Sequence, residues 1–444
     1  MASLSRQPDV AQRLDQRDTG ALERLERTLA AQLDQLKAQG LKLDLTRGKP
    51  APDQLDLSNA LDGVLGGSYI ADDGVDARNY GGLRGLPEAR RLGAELLDAQ
   101  FENVLAGGNS SLQLMQFVVE TALVHGLFGA GSAWQREADE RKARVKFLCL
   151  VPGYDRHFAI NEALGIEMIT SPLGANGPNV RELERLVAAD PLIKGIWCVP
   201  QYSNPTGIVY ADDVVKGIAR LPKVAGRHFV VMWDNAYAVH HLEFPARRVA
   251  SLLRIAEAEG TSDHVVMFGS TSKITFAGAG VAFLAASART LTNLEARLGT
   301  ETIGFDKVNQ LRHARFLANR LEAQMRAHAE LIRPKFHAVL RQLDAIAPLA
   351  VAEWTQPAGG YFISVDTRPG LAKEVVKLAR DAGVTLTPAG ATYPYGRDPD
   401  DRNIRIAPTF ANVSDVQAAM EVFVLCLQLA SARQILSSRT TTRT

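Results

Sequence analysis

Cysteine is scarce in this chain: Cys149, Cys198 and Cys426 are the only three in 444 residues. They lie far apart and show no paired metal-ligand spacing, so neither a disulfide framework nor a metal site is expected. Two of them sit in apolar, strand-like runs, the setting of reduced, buried thiols in a cytosolic protein. Aromatic residues are also sparse, at 7%, which disfavours stacking platforms for nucleic acid. Net charge is almost absent, with 50 basic residues against 49 acidic ones for a formal +1. A nucleic-acid or membrane partner would call for a concentrated basic face, and none is visible. No uninterrupted apolar run reaches the roughly 18 residues of a membrane span. The opening stretch, MASLSRQPDVAQRLDQRDTG, lacks the apolar segment of a signal peptide. A soluble, cytoplasmic protein is expected.

What is present has a globular balance, 46% hydrophobic and 22% charged. The length exceeds one ordinary core and implies a large domain with a smaller companion. Leu22, Leu25, Leu29, Leu33 and Leu36 recur at helical spacing before Gly40, which predicts an amphipathic helix with a glycine stop. From about residue 107, helical stretches alternate with short apolar runs in VKFLCLVPGYDRH, IKGIWCVPQYSNPTG, HFVVMWDNAY and HVVMFGSTSK. Continuous apolarity of this kind suits parallel strands covered on both faces. The fold class expected is α/β: a three-layer α/β/α large domain with a mainly parallel sheet, plus a smaller α+β domain. The expected boundaries are 1–60 for an N-terminal helix and arm joining the small domain, 61–305 for the large domain, 306–436 for the small domain, and 437–444 for a disordered tail.

Ligands of open parallel sheets bind beyond the carboxyl ends of the strands. Four successive strand ends here carry Tyr154, Asn204, Asp234 with Tyr237, and Ser270 to Lys273. Lys273 follows a buried strand and precedes alanines and glycines, with no other Asp, Glu, Lys or Arg from 264 to 288. A desolvated amine there would have a lowered pKa and could attack a carbonyl; the bland alternative is a solvated surface lysine. Asp234 ends FVVMWD, where a carboxylate needs compensation. It could partner a pyridinium nitrogen, or it could be a helix cap or half of an ion pair. Asn204 in QYSNPTG reads as a turn residue or as an amide presented at a strand end, and Tyr237 could place its hydroxyl beside the same ligand. Gly108, Asn109 and Ser110 join a glycine turn to a helix start, a potential anion site with Ser270 and Ser272 in reach, although capped helix starts are common. Tyr154 could lie over an aromatic ring. Arg405 in NIRIAPTF offers a planar fork to a carboxylate, or is an edge-strand surface arginine.

Taken in order, Tyr80, Gly108-Asn109-Ser110, Tyr154, Asn204-Pro205-Thr206-Gly207, Asp234-x-x-Tyr237, Ser270-x-x-Lys273 and Arg405 resemble the fold-type I aminotransferases that use pyridoxal 5'-phosphate. The stretches LDLTRGKP, NYGGLRGLPEAR and GSTSKITFAGAG resemble the divergent aspartate aminotransferase subgroup, type Ic. That resemblance implies that Lys273 is the internal aldimine lysine and Asp234 the partner of the pyridine nitrogen. Asn204 and Tyr237 would tune the phenolic oxygen, and Tyr154 would stack on the ring. Gly108, Asn109, Ser110, Ser270 and Ser272 would hold the phosphate, with Tyr80 reaching over from a second subunit. Gly48, Asn204 and Arg405 would bind the substrate. The family is dimeric with shared sites, and the reaction implied is ping-pong amino transfer from aspartate to 2-oxoglutarate. Where many relatives carry a phosphate-clamping arginine, eight residues after the lysine, this chain has Val281. For the distal substrate carboxylate, Arg47 and Lys49 are candidates, with Arg78, Arg84 and Arg156 as others. The rival readings are a lyase on the same fold, an aminotransferase of another amino acid, and a non-catalytic regulator. The last would normally bring a DNA-binding module, which residues 1–45 do not resemble.

Overall fold

A computed structural model describes residues 12–441. The chain forms two compact units. One comprises the described residues up to Lys49, Ile332–Gln356 and Tyr361 onward; the other comprises Pro50–Leu331 with Pro357–Gly360. Residues 306–331, expected in the small domain, belong to the second and larger unit. Lys307 Nζ donates to Gly81 O at 2.6 Å, Gln310 Nε2 to Ala106 O at 3.1 Å, and Gln324 Nε2 to Ile274 O at 3.0 Å. Residues 50–60, expected in the N-terminal arm, are held there too, through Ser58 Oγ on Gln324 Nε2 at 2.9 Å.

The large unit is built on eight strands: β1 Val104–Ala106, β2 Lys146–Val151, β3 Glu167–Gly174, β4 Gly177–Pro178, β5 Ile193–Cys198, β6 Val230–Asp234, β7 Val265–Ser270 and β8 Ala282–Ala286. Their order across the sheet is β1-β8-β7-β6-β5-β2-β3-β4. The five inner strands from β7 to β3 run parallel, while β1, β8 and β4 add antiparallel edges. The four apolar runs recognised in the sequence are β2, β5, β6 and β7. All residues of β5 and β6 are buried, as strands covered on both faces must be. Within β5, Gly195 is required by packing: a Cβ there would stand 2.1 Å from Phe147 Cζ. Its neighbour Lys194 is fully buried and is compensated by Glu137 Oε2 at 2.5 Å and Arg227 O at 2.8 Å.

The small unit carries the antiparallel strands β9 Ala352–Trp354, β10 Ile363–Thr367 and β11 Asn403–Ile406, in that order. Its first long helix, Thr19–Ala38, buries Leu22, Leu29 and Leu33, and Gly40 follows at φ +63°. The last helix, Val413–Thr441, runs through most of the expected disordered tail. Arg439 anchors that end, with Nη2 donating to Asp15 O at 2.8 Å and Nη1 to Thr19 Oγ1 at 3.3 Å; residues 442–444 lie outside the described residues. By length and composition this helix could cross a membrane, but it is mostly buried against its own unit, as core helices of soluble proteins are.

Candidate active site

Strands β7, β6, β5 and β2 are neighbours and parallel, so their carboxyl ends open on one edge of the sheet. A cleft at that edge is lined by Lys273, Asp234, Tyr237, Asn204, Tyr154 and Ser111. The strand-end residues singled out from sequence are therefore gathered in space, although up to 119 positions separate them (Tyr154 to Lys273).

Asp234 is the last residue of β6 and is 2% exposed. Its Oδ1 accepts the Ala236 N–H at 3.2 Å, and its Oδ2 lies 3.0 Å from His157 Nε2. His157 sits in the helix Asp155–Ala163, and its ring stacks on Trp197 at 4.2 Å and 8°. This face contact fixes the imidazole with its Nε2 toward the carboxylate. Tyr154, directly before that helix, meets the same imidazole edge-on at 4.9 Å.

Lys273 Nζ lies 5.0 Å from the centroid of the Tyr237 ring. Burial lowers the pKa of the ammonium from the ordinary lysine value, and the Asp234 charge opposes that shift. The backbone of Lys273 is held as well, through Lys273 O on His240 Nε2 at 3.3 Å. Burial, and then the Lys273 charge, hold the His240 pKa well below the usual imidazole range. It therefore meets that carbonyl as a neutral donor.

Ser270 Oγ accepts from the Ser272 N–H at 3.4 Å, and Ser272 Oγ donates to Asn109 O at 3.3 Å. Asn109 Nδ2 donates to Gly278 O at 3.2 Å, and Gly108 O accepts from the Ala282 N–H at 2.7 Å. The glycine turn and the lysine loop are thus tied together ahead of the helix Ser111–Glu120. Ser110 stands at its N-cap position without a side-chain capping bond, which leaves the first-turn N–H groups available to an anion.

In the small unit, Arg405 lies on β11, 9% exposed, with its guanidinium carbon 4.9 Å from the Phe362 ring centroid. Gly48 is packed on the same ring, where a Cβ would come within 2.2 Å of Phe362 Cζ. Tyr80 does not line the cleft and is 80% exposed.

Residues 18–439 match the family model described as aspartate aminotransferase. The chain belongs to the aspartate aminotransferase family. A Mycolicibacterium smegmatis protein named "putative aminotransferase" is 49% identical over 411 residues, 91% of this chain and 95% of that protein. An aspartate aminotransferase of Corynebacterium glutamicum is 45% identical over 405 residues, 90% of this chain and 92% of that one. The crystal structure of an aspartate transaminase from that organism superposes with a TM-score of 0.91 at 42% identity, covering 96% of this chain and all of the other. A Thermus thermophilus α-aminoadipate aminotransferase, solved with a phosphopyridoxyl-leucine adduct, shares the fold at 22% identity and a TM-score of 0.72, covering 91% and 95% of the two chains. Membership in the aspartate aminotransferase family makes this chain an aminotransferase of fold type I.

Two features of this aminotransferase site were not read from the sequence. His157 lies three residues after Tyr154, one helical turn on, and a polar residue at that spacing behind a strand end was the available signal. His240 carried no such signal, because its bond to Lys273 O depends on how the chain turns after β6.

Proposed function

We propose that this enzyme is a pyridoxal 5'-phosphate-dependent aspartate aminotransferase with 2-oxoglutarate as acceptor, acting in the cytoplasm as a homodimer with shared sites. One observation carries the cofactor reading: a buried carboxylate and a desolvated primary amine face one cleft beside an uncapped glycine-led helix start. Those groups fit the two ends of the cofactor. Asp234 would hold a proton on the ring nitrogen, Asn204 and Tyr237 would flank the phenolic oxygen, and Tyr154 would cover a ring face. Gly108, Asn109, Ser110, Ser270 and Ser272 would receive the phosphate. When bound, pyridoxal phosphate supplies a carbonyl carbon that captures amines and a protonated ring that draws electron density from the substrate α-carbon.

The chain's own residues supply the rest. Lys273 Nζ, its basicity reduced by burial, would take the proton from the substrate α-carbon, a role that requires an amine with a pKa near the working pH. Asp234 is held in place by His157 and the Ala236 N–H. Arg405, fixed over Phe362, would receive the α-carboxylate with the Gly48 backbone beside it.

Among candidate cations for the distal carboxylate, Arg47 is engaged with Asp44 at 2.8 Å, Arg78 with Asp76 at 2.6 Å and Arg84 with Glu295 at 2.8 Å. Lys49 instead places its ammonium 4.4 Å from the Phe410 ring centroid, and it adjoins Gly48. Lys49 and Arg156 are the candidates we retain for the second carboxylate. The test is an absorbance spectrum of purified enzyme before and after aspartate. The visible cofactor band should give way to the pyridoxamine form, and alanine should act far more slowly. Equal rates with both donors would overturn the dicarboxylate reading, and the absence of any visible band would overturn the cofactor reading.

A further inference from the structure

Behind the glycine turn lies a second cavity of the large unit, lined by Gly108, Asn109, Val281, Asp306, Asn309 and Arg312 among others. Arg312 is the cation in that lining. Its Nη2 donates to Asn309 Oδ1 at 2.8 Å, and Asn309 Nδ2 donates to Ala279 O and Gly280 O at 3.0 and 2.9 Å. The guanidinium is therefore coupled to the chain that follows Lys273. Its Nη1 lies 3.4 Å from Asp62, whose side chain is 77% exposed, so that pair is screened and contributes little neutralisation. Arg312 Nε is buried and has no hydrogen-bond partner among the described residues. A buried charged donor left in that state is costly, and a bound anion relieves it. The carboxylate in the lining, Asp306, is engaged at the start of its own helix, where Oδ1 accepts the Asn309 N–H at 2.9 Å.

The Gly108–Asn109 turn lines this cavity. Just past it, Ser111 lines the cleft with Lys273, and the helix start contributes positive potential to the same point. Position 281 lines the cavity but is valine and brings no charge. We propose that Arg312 supplies the positive charge for the cofactor's phosphate, approaching the glycine turn from the helix Lys307–Leu317. This rests on the cofactor reading above.

The experiment compares binding of pyridoxal phosphate with binding of unphosphorylated pyridoxal, each titrated into cofactor-stripped enzyme and followed by absorbance. Arg312→Gln should weaken pyridoxal phosphate binding at least tenfold and leave pyridoxal binding unchanged, whereas Arg312→Lys should keep most of the preference for the phosphorylated form. Equal weakening of both ligands in Arg312→Gln would mean a merely structural role and would overturn the proposal. So would an unchanged phosphate preference in that variant or, should it fail to fold, in Arg312→Met, which keeps the apolar stem and removes the charge. Wild-type enzyme that binds neither ligand would instead overturn the cofactor reading, and this inference with it.

Discussion

A carboxylate that ends a buried strand keeps its charge only if neighbouring donors replace the water it has lost. For Asp234 those donors are the Ala236 N–H and the His157 ring. His157→Phe would keep the stack on Trp197 while deleting the hydrogen bond. Leaving a buried charged acceptor short of one donor costs about 1–3 kcal/mol, and at about 1.4 kcal/mol per decade kcat for aspartate should fall by about fivefold to a hundredfold. The KM for aspartate should move little, because on the proposed reading Asp234 would serve the cofactor ring rather than the substrate carboxylates. Steady-state kinetics of the loaded enzyme check this, and a kcat equal to wild type would remove His157 from the positioning of Asp234. At this scale the residues on strand ends were legible, since an apolar run followed by a polar residue places that residue on the binding edge. His157 was not, because its contact with Asp234 spans 77 positions and exists only once β2 and β6 are placed in the sheet.

Elements were legible where their burial was two-sided. Strands β2, β5, β6 and β7 are continuous apolar runs and were recognised; β8, AFLAA, is short and rich in alanine, and its pairing with β1 and β7 is a tertiary fact. The final helix ran past its expected end because two bonds from Arg439 hold residues whose composition alone reads as solvated. The same distinction between pattern and packing applies inside β5. Gly195 is not explained by strand propensity, since glycine weakens strands; it is explained by the ring of Phe147, itself wedged between Trp134 and Trp197 at centroid distances of 5.6 and 5.8 Å. Gly195→Ala should therefore destabilise the large unit by about 1–3 kcal/mol, the usual cost of overpacking a filled core. Thermal unfolding measures it, and a melting temperature within a degree of wild type would show that Phe147 can step aside.

At the scale of the whole molecule, the proposed homodimer has to explain why large apolar side chains stay in water. Tyr80 is 80% exposed, Ile303 65%, Ile70 51% and Val75 41%, and isolated exposed apolar residues are ordinary whereas grouped ones mark interaction surfaces. These belong to two segments that lie together. Lys307 Nζ donates to Gly81 O at 2.6 Å, and Arg315 donates to Ser68 O and Ile70 O at 2.6 and 2.9 Å. The bonds hold both ends of the 68–81 segment on the helix Lys307–Leu317, which begins four residues past Ile303, and this is the surface we propose for a second copy. If that surface meets a second copy, a charge placed in it cannot be buried without loss of association. Ile303→Asp should shift the enzyme from dimer to monomer in sedimentation at micromolar concentration and lower its activity with it, because Tyr80 would no longer reach a partner's cofactor. Tyr80→Phe should leave the dimer intact while hastening cofactor release. A wild-type chain that sediments as a monomer at full activity would end the shared-site reading and leave Tyr80 without a role.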